Sequence, residues 1–107
     1  GEFTSEKGEK IIFSFPRFTM KTAEKQLSGG YSIYTVNDTT ILELKIIDKT
    51  NLVKEKRVYE LTFTEEDDGS VITYSCILLP GRIDVKGFHA DSEQTMRFDK
   101  IVPKETE

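Results

Sequence analysis

Cysteine occurs once in this chain, histidine once and tryptophan not at all. A single cysteine excludes an internal disulfide, so burial and hydrogen bonding must hold the fold. A lone thiol suits a reducing compartment, or an envelope protein that does not rely on disulfides. A zinc site needs three or four well-placed donors, and one histidine without a nearby cysteine does not supply them. No run approaches the length of a membrane-spanning helix. No H-E-x-x-H, Gly-rich phosphate loop or G-x-S-x-G elbow occurs. The arginines are scattered at Arg17, Arg57, Arg82 and Arg97, and the net charge is -4. Nucleic-acid binding wants a basic field, which such a chain lacks.

What is present describes one small domain. A chain of 107 residues fills a single domain and buries roughly 65% of its unfolded surface. Apolar residues make up 36% and mean hydropathy is -0.42, so the core is thin. Thin cores suit sheets with one wet face per strand.

The most legible stretch is 56–79, which reads as a long β-hairpin. With Asp68-Gly69 at the centre of a tight turn, Phe63 faces Tyr74, Leu61 faces Cys76 and Tyr59 faces Leu78. Thr64 then faces Thr73, and Thr62 faces Ser75, on a wet side. A slip by one residue would mix the two faces, so pattern and turn select one register.

Residues 1–9 read as a flexible tail. Gly-Glu-Phe at the start reads as a leftover of an appended sequence, with a natural leader trimmed. Residues 10–15 alternate as a strand that Pro16 ends. Residues 19–28 present Met20, Ala23, Glu24 and Leu27 at helical spacing, with Thr19 as cap and Gly29-Gly30 as stop. That predicts one short helix. Residues 31–36 and 40–47 form a hairpin around Asn37-Asp38, setting Ile33 opposite Leu42, Tyr31 opposite Leu44 and Tyr34 opposite Ile41. Residues 48–55 read as a polar loop, and Leu79-Pro80-Gly81 as a corner. Residues 82–88 alternate as a strand, 87–93 form a loop and 94–102 the last strand, with Met96 and Phe98 inward. A bulge is expected at Ile101-Val102. Residues 10–102 are the domain and 103–107 a C-terminal tail.

About seven short strands predict an all-β fold: a small antiparallel β-sandwich or partly closed β-barrel with one short helix. Cys76 belongs to the apolar side of the hairpin as a small hydrophobe. Glu65-Glu66-Asp67-Asp68-Gly69 is a solvated acidic turn without EF-hand spacing. Asn37-Asp38-Thr39 matches a glycosylation sequon, but the turn already accounts for Asn37. His89, Asp91 and Glu93 alternate, so an extended segment puts them on one side; His89 carries the one group that titrates near neutrality unperturbed. Arg82, Asp84 and Lys86 form a charged stripe that can meet Arg97 and Asp99 across paired strands. Tyr34, Ile41, Val58, Ile77 and Leu79 fall on outer faces, where they form a second core layer or a patch.

The leading reading is a non-catalytic binding or adhesion module that presents a sheet face and loops to a protein or glycan. Its candidate contact residues are Arg82, Asp84, Lys86, Tyr34, Ile41 and His89. No catalytic residue, metal or cofactor is assigned. An extracytoplasmic, cell-surface or periplasmic setting follows if a leader has been removed. The second reading is a small barrel carrying an apolar ligand, with 19–28 as lid; whether Phe13, Phe15, Tyr59, Phe63, Tyr74 and Phe98 fill the centre decides between them. A hydrolase or metal enzyme using His89, Asp91 and Glu93 is the third.

Overall fold

The structure is a computed structural model and describes residues 1–104. Nine strands follow one another: β1 (Glu2–Thr4), β2 (Lys10–Ser14), β3 (Arg17–Lys21), β4 (Gln26–Val36), β5 (Thr39–Ile47), β6 (Val53–Asp67), β7 (Val71–Asp84), β8 (Gly87–Ala90) and β9 (Met96–Pro103). Neighbours run β6-β5-β4-β3-β2-β1-β9-β7-β8, and β6 also pairs with β7. That last pairing closes an antiparallel 8-strand barrel and leaves β8 as one extra strand. Closure removes most sheet edges, which an open sandwich would have to protect. The expected all-β class holds, as a barrel.

Period-2 alternation builds the core. Ile11, Phe18, Met20, Leu27, Leu42, Leu44, Ile46, Leu61, Cys76, Leu78 and Phe98 all turn inward and are buried. Burial pushes the Cys76 thiol up to about 12, so it stays protonated and packs as an apolar group.

The expected helix over 19–28 is absent. Its residues divide between β3 and β4, joined by a turn in which the Thr22 hydroxyl accepts from the Glu24 and Lys25 amides. Two helical turns are marginal alone. The hairpin instead sets Met20 opposite Leu27 and Phe18 opposite Gly29, all on the core side. The segment read as a flexible N-terminal tail contains β1, where Phe3 pairs with Ile11 and Thr4 with Asp99. In the C-terminal tail Pro103 ends β9 and the Lys104 amide donates to Ser70 O; residues 105–107 lie outside the described residues.

The long hairpin forms with its register moved by two. Phe63 faces Cys76, Leu61 faces Leu78 and Thr64 faces Ser75. The turn is the reason. Asp68 Oδ1 accepts from the Ser70 and Val71 amides, and Asp67 Oδ1 from Gly69. These bonds centre the turn on Gly69-Ser70, one residue later than Asp68-Gly69. A shift of two preserves every face, because the side-chain period is two. The β4–β5 hairpin has the expected partners, with Asn37 and Asp38 at φ 47° and 66°.

Three more expectations change. β7 runs through Leu79-Pro80-Gly81 without a corner. Pro80 falls between the end of β9, at Leu78↔Met96, and the start of β8, at Gly81↔Ala90, so its missing N–H breaks no ladder. Residues 87–90 are strand β8 rather than loop. No bulge interrupts β9, and Ile101 simply faces solvent.

Candidate functional site

The site follows from where β7 leaves the barrel. Its pairing with β6 ends at Val58↔Gly81, yet β6 continues back to Val53 on β5. Beyond Gly81, β7 pairs with β8 and no longer with β6. At the hairpin tip Lys86 O accepts a bond of 3.1 Å from Asn37 Nδ2 in the β4–β5 turn. The hairpin is therefore tied at its tip to that turn. Val58 and Gly81 are direct partners, so the outward side of Val58 continues into the side carrying Gly81, Ile83 and Phe88. Gly81 is required there: a β-carbon would stand 2.4 Å from the Phe88 ring and 2.3 Å from His89 O.

Between hairpin and wall opens a groove of about 590 Å³, bounded by Tyr34, Glu43, Lys56, Val58, Arg82 and Ile83, among others. Tyr34 Oη donates to Glu43 Oε1 at 3.5 Å. Partial burial, then the Glu43 charge, raise the Tyr34 pKa and keep its hydroxyl a donor. Apolar floor and polar walls together suit recognition of an amphipathic ligand.

The expected contact residues divide. Tyr34 and Arg82 line the groove. Ile41 does not reach the surface: it points outward, is 0% exposed and lies outside the main core cluster. Asp84 and His89 bond to one another at 2.9 Å, which with the Lys86 amide holds the Asp84 carboxyl below its ordinary range. Lys86 contributes its backbone to the tip, and its side chain is solvated.

The charged stripe does not meet Arg97 and Asp99, because β9 pairs with the earlier half of β7. Arg82 instead bonds Asp91 at 2.8 Å. Arg97 and Asp99 close on Ser75, whose hydroxyl donates to Asp99 at 2.5 Å. That hydroxyl, then Arg97, lowers the Asp99 pKa. His89, Asp91 and Glu93 are not brought together, and no group of three metal-ligating side chains occurs among the described residues. No described helix is long and apolar enough to cross a membrane.

Sequence reasoning missed two sets of residues. At one end of the barrel five rings touch in series: Phe63 on Phe3, Phe3 on Phe13, Phe13 on Tyr31 and Tyr31 on Phe15. Phe15 is 78% and Phe63 54% exposed, although alternation assigned both to the interior. Only position along the strand separates a mid-barrel from a rim residue, and closure was needed to show it. The other set is Lys45, Lys54 and Lys56 beside the groove. Lys45 and Lys56 are direct partners. The signal was the Lys54–Lys56 alternation, hidden by reading 48–55 as a loop.

No protein-family model, curated protein or solved structure matches this chain.

Proposed function

We propose that this chain is a non-catalytic binding module that receives a protein or glycan partner in the groove beneath the β7–β8 hairpin. The observation that carries this reading is the departure of β7 at Gly81, which opens a groove with Val58 and Ile83 as apolar surface and Tyr34, Lys56 and Arg82 as polar edges. Fold class alone supports no function, so the reading rests on that local geometry. The test is selection of ligands from a peptide library and a glycan array with the wild-type chain, repeated with Val58→Arg to plug the groove. Selected ligands should bind the variant at least about tenfold more weakly, a loss of about 1.4 kcal/mol. Ligands that bind both proteins equally would sink the reading.

A second reading has its own observation. The barrel centre is packed, with Tyr59 and Phe98 buried, so an apolar small molecule would have to bind at the aromatic end. There Phe3, Phe63, Tyr74 and Val102 line an open hollow of about 540 Å³. Native mass spectrometry of gently purified protein tests it: a discrete added mass, lost in Phe63→Ala, supports it, and an unchanged added mass in that variant removes it.

A further inference from the structure

The groove also exposes a strand edge. In an antiparallel ladder, residues alternate in the side to which their N–H and C=O point. The Asp68 amide donates to Val71 O at the hairpin end, which makes the even-numbered residues of β6 the ones bonded towards β7. Below Val58 the next such residue is Lys56, before a bulge at Lys54 interrupts the alternation. β7 has left by then, so the Lys56 backbone groups face the vacated side. Residues 53–56 are accordingly exposed, Val53 by 50%.

The side chains here select what can fill the gap. Lys45, Lys54 and Lys56 are exposed on neighbouring strands, with Lys45 directly across from Lys56. Like charges placed opposite one another destabilise a sheet. None of the three makes an ion pair with a described carboxylate. The acids around them have other hydrogen-bond partners: Glu43 in the same groove accepts from Tyr34, Asp48 accepts from Thr50 and the Leu52 amide, and Glu55 bonds Arg57, although the Lys54 charge also acts on Asp48 and Glu55. A second copy of this edge would set lysine against lysine.

From the free edge and these lysines without an ion-pair contact, we infer that an acidic polypeptide segment adds to β6 as an antiparallel strand alongside Val53–Arg57. Its backbone pairs with Lys56, and its carboxylates meet Lys45, Lys54 and Lys56. Strand addition takes affinity from main-chain bonds and selectivity from alternate side chains. The inference rests on the groove as binding site and names the partner's chemistry.

The test uses the full chain, isotope-labelled, with three capped eight-residue probes: alternating Glu–Val, alternating Lys–Val, and Glu–Val N-methylated on the edge that would face β6. Amide exchange at Lys56 reports strand addition, while the methyl signals of Val58 and Ile83 report groove occupancy. The Glu–Val peptide should slow exchange at Lys56 by at least about tenfold when bound, because opening the added ladder must precede exchange. The N-methylated peptide should not protect it. The variant K45E/K54E/K56E changes only exposed side chains, and it should transfer preference to Lys–Val. Salt should weaken the Glu–Val complex. Methyl shifts without amide protection would overturn strand addition while leaving the groove reading standing. Equal binding of Lys–Val and Glu–Val, or no protection at millimolar Glu–Val, would overturn the inference as well. Amide protection without methyl shifts would keep strand addition and remove the groove as the place of contact.

Discussion

The aromatic end and the β6 notch are both unfinished surfaces, but they lack opposite things. At the aromatic end Phe13, Tyr31 and Phe63 occupy laddered positions, so the backbone is paired while apolar side chains meet water. At the notch the side chains of Lys54 and Lys56 are well solvated, and it is the Lys56 backbone, on the side that β7 has left, that lacks a strand partner. The first surface attracts apolar area without direction. The second supplies directional donors and acceptors, and charge sets its choice of partner. A barrel can therefore carry two kinds of stickiness without either disturbing its packed centre.

The strongest way to break the comparison is to remove what holds the notch open. Ile41 is fully buried on the outward face of β5, and the hairpin tip is bonded to Asn37 in the turn that precedes it. Ile41→Ala deletes packed methyl groups and leaves a cavity, at a cost of about 2–5 kcal/mol. Urea unfolding should show a lower midpoint, and amides of 87–90 should exchange faster than those of β2 and β3. A loss under about 0.5 kcal/mol would mean that the hairpin contributes no second core. Gly81→Ala comes next. The added carbon meets the Phe88 ring and His89 O, which is backbone and cannot swing away. Overpacking of this kind costs about 1–3 kcal/mol, and it should displace the hairpin while the rings at the aromatic end keep their chemical shifts.

Both regions explain how far residues alone could lead. Alternation in 31–47 and the Asn37-Asp38 turn were legible because turn chemistry and apolar pattern agree there. The long hairpin was legible in its faces but not in its partners. Asp67 and Asp68 hold the turn one residue further on, at Gly69-Ser70, with side-chain bonds that the sequence does not distinguish from a turn at Asp68-Gly69. The short helix was a coincidence of spacing: Met20 and Leu27 fit a 3.6 period and a hairpin pairing equally well. Of the site, Tyr34 and Arg82 were found by outward phase. Ile41 shared that phase with Tyr34, and phase alone does not tell a buried residue from a half-buried one. The notch was invisible because it depends on where β7 stops pairing, a long-range event with no local signature.

At the aromatic end, side chains can be removed without harm to the fold. Phe15→Ala and Phe63→Ala sit at exposed positions, so each should change stability by about 0.5 kcal/mol or less. Binding of an apolar fluorescent dye should nevertheless fall in both variants and remain unchanged in K45E/K54E/K56E. A dye signal that survives both ring deletions would move the apolar surface elsewhere.

The smallest effect separates the two regions by acid. Asp84 on the notch hairpin is held below its ordinary range by His89 and the Lys86 amide; Asp67 at the β6–β7 tip is held low by Lys104 and the Gly69 amide. In both the folded pKa is depressed, so the stabilisation is present above the unfolded value of about 3.9 and is lost as pH falls through the folded value. Both carboxylates are solvent-exposed, so the global effect is small and the local one is the informative signal. In a titration from pH 5 to pH 2 followed residue by residue, protonation of Asp84 should loosen amides 86–89, and protonation of Asp67 those of 68–71. Asp84→Asn should abolish the first response and leave the second. Loss of both in that variant would mean that the two regions open together, and that the notch is not an independently held feature of the barrel.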